Sequence, residues 1–341
     1  MGKLLDLKGA GKHVESEGMT SPVRSGERAR PAAQVADLGG ALLANLSTVI
    51  RGKADALHLG VIALLSGGHL LVEDVPGVAK TLLAKALAQS VGGSFRRVQG
   101  TPDLLPSDLT GVSVYQPASG AWEFRPGPLF ANVVLVDELN RATPRSQSAL
   151  LEAMEERQVT VDGTTHPLPE PFFVVATQNP FEHAGTFPLP DGQLDRFAIV
   201  MHLGYADPAS ERDVLLGRGG ADLLDQLDPV TDTDGLRWAR AAVRAVHCEP
   251  AVADYVVELA TATRTHPEIA IGASTRASVG VLHAAQANAA LRGRSFVSPD
   301  DVKTVAAPAL AHRLSLRGGP DIKAAAALVQ TVLDQVPVPR G

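Results

Sequence analysis

Apolar and polar positions follow two different periods along this chain. From Ala33 through Leu46 apolar residues recur at helical spacing, and a second helical pattern ends at Gly67-Gly68. Short, continuous apolar runs then alternate with further helical patterns. The runs predict strands near residues 70–73, 94–98, 132–136, 172–176 and 197–203, and the clearest helices between them are predicted at 80–90 and 146–157.

This alternation predicts an α/β fold with a parallel five-stranded sheet covered by helices on both faces. After Tyr205 the strand patterns nearly vanish, and Ala- and Leu-rich periods predict four or five helices up to Val338. We therefore expect an α/β core at residues 33–204 and a smaller all-helical domain at 205–341. Residues 1–32 are rich in Gly, Ser and charged residues without periodicity, which indicates a flexible N-terminal arm.

Composition narrows the class of protein. The 341 residues are 45% hydrophobic and 20% charged, as expected for a globular chain. The net charge of -6 makes a nucleic acid partner unlikely, and the single Cys248 excludes an internal disulfide framework or a multi-cysteine zinc site. No apolar run reaches the roughly 18 residues of a membrane-spanning helix, and the N-terminus lacks a signal peptide's apolar core. We expect a cytoplasmic protein without an integral membrane segment.

The first strand runs through a small-residue turn into Lys80-Thr81 and a helix, which is typical of a phosphate-binding loop. Such a turn leaves backbone N–H groups free at the positive end of a helix, where phosphate oxygens are favoured. Lys80 would contact the β- and γ-phosphates, and Thr81 would ligate Mg²⁺. The alternative is an ordinary Gly-Pro turn between a buried strand and a helix.

Asp74 and Ala79 occupy positions where the phosphate-loop pattern has glycine. Aspartate tolerates left-handed backbone better than most residues, so we expect that the turn still forms, although a carboxylate near phosphate is unfavourable. Ala79 adds one methyl group where the helix begins. These two departures leave open a nucleotide-gated scaffold with negligible turnover.

The strand at residues 132–136 ends in Asp137-Glu138, at the sheet edge where parallel α/β folds place their ligand sites. Asp137 would hold Mg²⁺, and Glu138 would accept a proton from the attacking water. The alternative is that both acids cap the next helix. The upstream Lys80-Thr81 pair favours the first interpretation.

Asn179 follows the strand at residues 172–176, where it could polarise the same water or contact the γ-phosphate; the alternative is a simple Asn-Pro turn. Arg196 opens the last predicted strand after a Pro- and Gly-rich loop. It could donate to a transferring phosphate from a neighbouring subunit. The alternative for Arg196 is an ion pair with Asp195 or another surface acid.

The chain resembles the MoxR family of AAA+ ATPases over about residues 33–335. Nine sequence blocks carry this resemblance. They are Val49-Ile-Arg-Gly52, Gly67 to Thr81, Gln99 to Gly111, Gly127 to Asn132, Val136 to Ala142, Gln147 to Glu156, Ala176 to Pro180, Phe187 to Phe197 and Gly272 to Ala277. Together the blocks are highly specific, whereas any one of them would be weak.

The resemblance implies an ATPase with ATP and Mg²⁺ as cofactors, an AAA+ core and a helical lid. It also implies a ring, expected to be a hexamer, that remodels or matures protein clients, often with a partner bearing a von Willebrand factor A domain. By this resemblance, Asn179 matches sensor 1, Arg196 matches the arginine finger acting across a subunit boundary, and Arg276 matches sensor 2. It places Ile50 and Gly52 near adenine.

These arguments give three sets of expected site residues. The catalytic set is Lys80, Glu138, Asn179 and Arg196. The metal ligands are Thr81 and Asp137. The nucleotide contacts are Ile50, Gly52, Val75, Pro76, Gly77, Val78, Ala79, Lys80, Thr81, Leu82 and Arg276.

Three further expectations concern the remaining motifs. Ser274 is expected to cap a helix, in which case the alternative for Arg276 is a solvated first-turn residue. Residues 112–128 look like an insertion of the clade containing MoxR, or otherwise a surface hairpin. A ring motor on DNA is disfavoured by the acidic balance.

Overall fold

The computed structural model describes residues 25–75, 77–179 and 185–339. Pro76, an expected nucleotide contact, and residues 1–24 of the predicted arm lie outside the described residues. Helices α1 and α2 span Ser25–Val49 and Ala54–Ser66. Helix α1 thus includes residues 25–32, which the sequence assigned to the arm. Ala32 and Val35 are buried, so packing rather than local periodicity holds this end of the helix.

A five-stranded parallel sheet forms the centre of the core, as predicted. Its strands, in chain order, are β1 Leu70–Glu73, β2 Phe95–Gln99, β5 Val133–Asp137, β8 Phe173–Gln178 and β9 Ile199–Met201. Their spatial order is β2-β5-β8-β1-β9. The predicted bounds of β1 agree with the structure, and those of the other four strands differ by one or two residues at their ends, where periodicity is least informative.

Helices α3 Lys80–Ser90 and α5 Pro144–Glu156 follow β1 and β5. The first agrees with its predicted bounds. The second begins two residues early because Pro144 suits the first helical position and the Thr143 hydroxyl accepts from the Ser146 amide. Two short helices, α4 Pro106–Thr110 and α6 Asp191–Leu194, complete the core.

Two antiparallel hairpins extend from the core. Strands β3 Gly111–Gln116 and β4 Ala121–Pro126 pair as a hairpin, which was the alternative interpretation of the 112–128 segment. Strands β6 Gln158–Val161 and β7 Thr164–Pro167 form a second hairpin that the sequence analysis missed. Its turn contains Asp162 and Gly163, both at positive φ. This Asp-Gly dipeptide was the sequence signal that could have predicted the hairpin.

The region after residue 205 is mainly helical, as predicted. Among its described residues there are six α-helices rather than four or five. They are α7 Pro208–Leu215, α8 Thr233–Arg244, α9 Pro250–Thr265, α10 Thr275–Leu291, α11 Pro299–Leu310 and α12 Ile322–Gln335. A short ladder joins β10 Ile269–Ile271 to β11 Ser315–Leu316. The Ser274 hydroxyl caps α10 by accepting from the Ala277 amide, as expected.

Side-chain alternation along the strands divides the core in two. Leu70 and Val72 point into one hydrophobic cluster with α1, α2, α3 and the helical region, whereas Leu71 and Val134 point into another that includes α5. Burial on both faces explains why the strands read as continuous apolar runs. Among the described residues, no helix combines the length and hydrophobicity needed to span a membrane.

Candidate nucleotide site

The loop between β1 and α3 opens onto a cavity of about 400 Å³. Its lining comes from the loop, the ends of β5 and β8, and one segment of the helical region. These residues are Gly77, Ala79, Lys80, Thr81, Leu82, Lys85, Asp137, Glu138, Asn179, Ala221 and Leu224. The structure therefore brings together eight expected site residues from three distant stretches: Gly77, Ala79, Lys80, Thr81, Leu82, Asp137, Glu138 and Asn179.

Lys80 stands at the first position of α3, and its Nζ donates to the Asp74 carbonyl oxygen at 2.7 Å. Burial lowers the pKa of Lys80, while the carboxylates of Asp137, Asp74 and Glu138 oppose that shift. The ammonium group is thus held at the cavity by an acceptor that a phosphate oxygen can replace.

Ala79 carries the strained backbone of the loop. It adopts left-handed geometry at φ 67, and Gly77 lies at φ 86. Asp74 is outside the left-handed region, so the expected tolerance of aspartate for that conformation is not what allows the turn. Of the two positions where the pattern has glycine, only position 79 therefore requires left-handed backbone, and it is occupied by alanine.

The Asp74 carboxylate is bound by three backbone amides. Its Oδ2 accepts hydrogen bonds from the backbone amides of Leu203 and Gly204 at 2.7 and 2.5 Å, and its Oδ1 accepts from the Val75 amide at 2.9 Å. Asp74 does not line the 400 Å³ cavity. Backbone donors from the phosphate loop and from the segment after β9 thus satisfy the buried carboxylate.

Asp137 and Thr81 meet at the floor of the cavity. The Thr81 hydroxyl donates to Asp137 Oδ2 at 3.3 Å, and the Thr177 hydroxyl donates to Oδ1 at 2.7 Å. A hydroxyl beside a carboxylate is a donor set that fits Mg²⁺, which takes few protein ligands beside water and phosphate oxygens. The described residues contain no cluster of three or more His, Cys, Asp or Glu that could hold a metal ion.

Two residues on β2 engage this carboxylate pair. Arg97 donates to Asp137 Oδ2 at 2.7 Å, and Gln99 donates to Glu138 Oε2 at 2.9 Å. The sequence analysis missed both. They come together because β2 lies beside β5 with Gln99 opposite Asp137, an adjacency that no local motif encodes.

Glu138 does not act as a helix cap. It adopts left-handed geometry at φ 54, and its side chain makes no capping hydrogen bond to the following 3-10 turn, Leu139–Arg141. Its amide instead donates to the Thr177 hydroxyl at 2.9 Å, and its carboxylate pairs with Arg141 at 3.5 Å. Strained backbone at a residue facing a cavity is typical of a functional position.

A second cavity of about 260 Å³ continues the first and shares Gly77, Ala79 and Leu82 with it. Ile50 and Val78 line it, as expected of nucleotide contacts. Gly52 does not; a Cβ at this position would collide with the side chains of Asp207 and Ser210. Val75 lines neither cavity. The residues that the sequence did not indicate are Val49, Arg51, Lys53, Gly204, Tyr205, Ala206, Glu211, Val214 and Gly220.

Arg196 and Arg276 lie together at a third cavity, of about 300 Å³, which shares no lining residue with the other two. Arg196 Nε pairs with Glu155 Oε2 at 2.9 Å, and Arg276 Nη2 donates to Glu155 Oε1. Partial desolvation opposes ionisation of Glu155, but hydrogen bonds from both guanidinium groups hold its pKa below the usual value. The structure thus does not bring Arg276 to the phosphate loop of its own chain.

The helical region holds the backbone on either side of Arg196. Arg313 pairs through Nε with Asp195 Oδ1 at 2.9 Å and donates through Nη2 to the Phe197 carbonyl at 2.9 Å. His312 Nε2 contacts the same carbonyl oxygen at 2.9 Å. Burial, chiefly, lowers the pKa of His312 to about 3, so this ring is neutral and Nε2 donates.

Comparison with known proteins agrees with this architecture. Residues 69–199 match the ATPase family associated with various cellular activities (AAA), and residues 261–332 match the AAA lid domain.

Three individual proteins are similar over most of the chain. The uncharacterized protein YeaC of Bacillus subtilis (strain 168) is 45% identical over 88% of this chain and 94% of its own length. Chaperone MoxR1 of Mycobacterium tuberculosis (strain ATCC 25618 / H37Rv) is 40% identical over 88% of this chain and 78% of its own length. A crystal structure from Cytophaga hutchinsonii ATCC 33406 superposes with a TM-score of 0.84 at 35% identity, covering 92% of this chain and 99% of that one.

Proposed function

Because the chain belongs to the MoxR family of AAA+ ATPases, we propose that it binds ATP with Mg²⁺ and hydrolyses it to ADP and phosphate. The observation that carries the proposal is the convergence of Lys80, Thr81, Asp137, Glu138 and Asn179 on one cavity. A cation, a metal-ligating pair, a carboxylate base and an amide are the groups that phosphoryl transfer to water requires.

Each group has a role that its position supports. The amides at the start of α3 and the Lys80 ammonium bind the phosphates, and Thr81 with Asp137 holds the Mg²⁺ that offsets their charge. Glu138 accepts the proton of the attacking water, and Asn179 orients that water. The adenine of ATP occupies the 260 Å³ cavity beside Ile50 and Val78.

Two existing contacts have to yield when ATP and Mg²⁺ bind. Lys80 would exchange the Asp74 carbonyl oxygen for a phosphate oxygen, and Arg97 would have to release Asp137, one of the two residues that would hold the metal. In each exchange the new partner carries more charge than the one it replaces. The cavity therefore suits the phosphate anion of ATP and its Mg²⁺ cation.

Arg196 acts in this proposal on the nucleotide of a neighbouring subunit in a ring, expected to be a hexamer. The support is that Arg196 lines a cavity separate from that of Lys80, together with Arg276. Both guanidinium groups donate to the Glu155 carboxylate. Two arginines that share one anionic partner could likewise share one phosphate chain. We extend the sensor 2 role of Arg276 to that same neighbouring nucleotide.

A mixing experiment tests the shared site. Arg196→Ala subunits keep their own phosphate loop, whereas Lys80→Ala subunits keep the arginine, so mixed rings contain some complete sites. We expect partial recovery of phosphate release on mixing. No recovery in rings shown by native mass spectrometry to be mixed would contradict the role of Arg196.

The work done by hydrolysis is remodelling or maturation of a protein client. The name of the relative Chaperone MoxR1 supports a chaperone-type role, and the family resemblance adds a partner with a von Willebrand factor A domain. Capture of proteins by a Glu138→Gln variant loaded with ATP, compared with the same variant loaded with ADP, tests this: ATP-dependent recovery of such a partner is expected. Identical recovery with both nucleotides would contradict it.

A scaffold that binds nucleotide without turnover is the second candidate. Arg97 and Gln99 already occupy the two acids that hydrolysis would use, and this observation favours a resting site. Measured phosphate release separates the two functions, since the scaffold would bind ATP but release no phosphate.

A further inference from the structure

The Asp74 carboxylate links the two chain segments that follow β1 and β9, beyond the point where the backbone pairing of these strands ends. Strands β1 and β9 pair in parallel up to Val72 opposite Met201. Two residues later the two chains are joined instead by the Asp74 side chain, whose Oδ2 accepts from the Leu203 and Gly204 amides. Asp74 and Leu203 are only 8% and 4% exposed, so water does not compete freely for these bonds.

The segment that Asp74 holds becomes one wall of the 260 Å³ cavity. Gly204, Tyr205 and Ala206 line that cavity opposite Gly77, Val78 and Ala79 of the phosphate loop. Gly204 lies at φ 64, a conformation that redirects the chain toward α7. The wall has a second tether, since Lys53 Nζ donates to the Tyr205 carbonyl oxygen.

We propose that Asp74 is a positioning residue for the nucleotide base: its carboxylate sets the distance between the phosphate loop and the wall formed by Gly204–Ala206. This inference rests on the proposed function of ATP binding. The pattern glycine at this position has no side chain that could make the contact, so the aspartate adds a bond between the loop and the wall.

Loss of the carboxylate removes the acceptor of the buried Leu203 amide, of the part-buried Gly204 amide and of the Val75 amide in the phosphate loop. An unsatisfied buried N–H is costly, so the segment from Leu203 would shift to find water or another acceptor. The contact to Lys80 comes from the Asp74 backbone carbonyl and survives any side-chain substitution. Substitution should therefore weaken recognition of the base more than recognition of the phosphate chain.

Calorimetric titration with two probes separates these effects. ATP contacts both cavities, whereas inorganic tripolyphosphate contacts only the phosphate loop. For Asp74→Gly we expect the Kd of ATP to rise about tenfold and the Kd of tripolyphosphate to change less than about twofold. Asp74→Asn, which keeps one carbonyl oxygen for the two amides, should give a smaller change of the same kind and covers the case in which the glycine variant does not fold.

Asp232→Ala is the matched control. Asp232 also accepts a backbone amide hydrogen bond, from Gly235 at 2.7 Å, but it lines neither nucleotide cavity. Its loss should lower thermal stability and leave the ratio of the two Kd values unchanged.

Two results would overturn the inference while leaving the proposed function intact: equal weakening of both probes in the Asp74 variants, or no weakening of either. Failure of the unmodified protein to bind ATP would instead overturn the proposed function and this inference with it.

Discussion

Arg97 donates a hydrogen bond of 2.7 Å to Asp137, at the carboxylate oxygen that Thr81 also contacts. The guanidinium group is half exposed, so it is held there by one ion pair rather than by packing. It occupies the position where the proposal puts the metal ion. In the proposed site, Arg97 and Mg²⁺ would therefore compete for the same carboxylate oxygen.

Arg97→Ala should lower the Mg²⁺ concentration that half-saturates ATP binding, by about two- to fivefold, because a competing cation is gone. The modest size follows from the exposure of the pair, which limits its strength to less than about 1 kcal/mol. Titration of Mg²⁺ at fixed ATP gives the measurement. The neighbouring Arg96→Ala is the control, since Arg96 donates to the Phe95 carbonyl oxygen. Equal effects of the two substitutions would contradict the competition.

Glu155→Gln should slow phosphate release in assembled rings by about tenfold, because both arginines lose the charge that orients them and small misplacements are costly in phosphoryl transfer. ATP binding should stay within about twofold, since the arginine cavity shares no residue with the nucleotide cavities. Steady-state release and calorimetry measure the two quantities. Substitution of the exposed neighbour, Glu156→Gln, serves as control. A loss of ATP affinity in Glu155→Gln as large as its loss of rate would contradict the claim that the arginine cavity does not take part in ATP binding.

The sequence predicted the acids, the lysine and the amide of the site, because each stands in a short motif at the end of a strand and the ends of parallel strands share one edge. Arg97, Gln99 and Glu155 escaped prediction because their partners are chosen by strand order and by packing of the helical region. The contact of Asp74 escaped for another reason: its partners are the backbone amides of Leu203 and Gly204, which carry no side-chain signature.

Ala79→Gly should stabilise the chain by up to about 1.6 kcal/mol. A left-handed alanine costs roughly 1–2 kcal/mol, of which the greater freedom of glycine in the unfolded chain cancels about 0.4–1 kcal/mol. Urea unfolding monitored by circular dichroism gives the change in unfolding free energy. Ala327→Gly, at an exposed position within α12, should instead destabilise by about 1 kcal/mol. Destabilisation by both substitutions would show that Ala79 is not strained.

Stability should fall as the pH drops below about 6.5, and buried histidine is one cause. His69 Nδ1 accepts from the Val174 amide at 3.0 Å and its Nε2 contacts the Met154 carbonyl oxygen at 3.2 Å, so both nitrogens are used by the neutral ring. Burial, above all, lowers the pKa of His69 to about 3. Between that value and 6.5 the unfolded chain binds a proton that the folded chain does not, which removes up to about 1.4 kcal/mol per pH unit.

His69→Asn keeps an acceptor for the Val174 amide and removes the titrating group. We expect a lower unfolding free energy at pH 7.5 but a slope between pH 5 and 6 that is reduced by about one proton. Urea unfolding at several pH values measures the slope. The partly exposed His266→Asn is the comparison, and an unaltered slope in His69→Asn would contradict the assignment of a neutral buried ring.

Phosphate release by the unmodified protein and by Glu138→Gln tests the central claim most directly. Both are measured with saturating ATP and Mg²⁺ at a protein concentration at which assembly is verified by light scattering. The account predicts ATP affinities within about twofold of each other and release at least about 100-fold slower in the variant, because the amide cannot accept the proton of the attacking water. Equal rates, or no release by the unmodified protein, would contradict it.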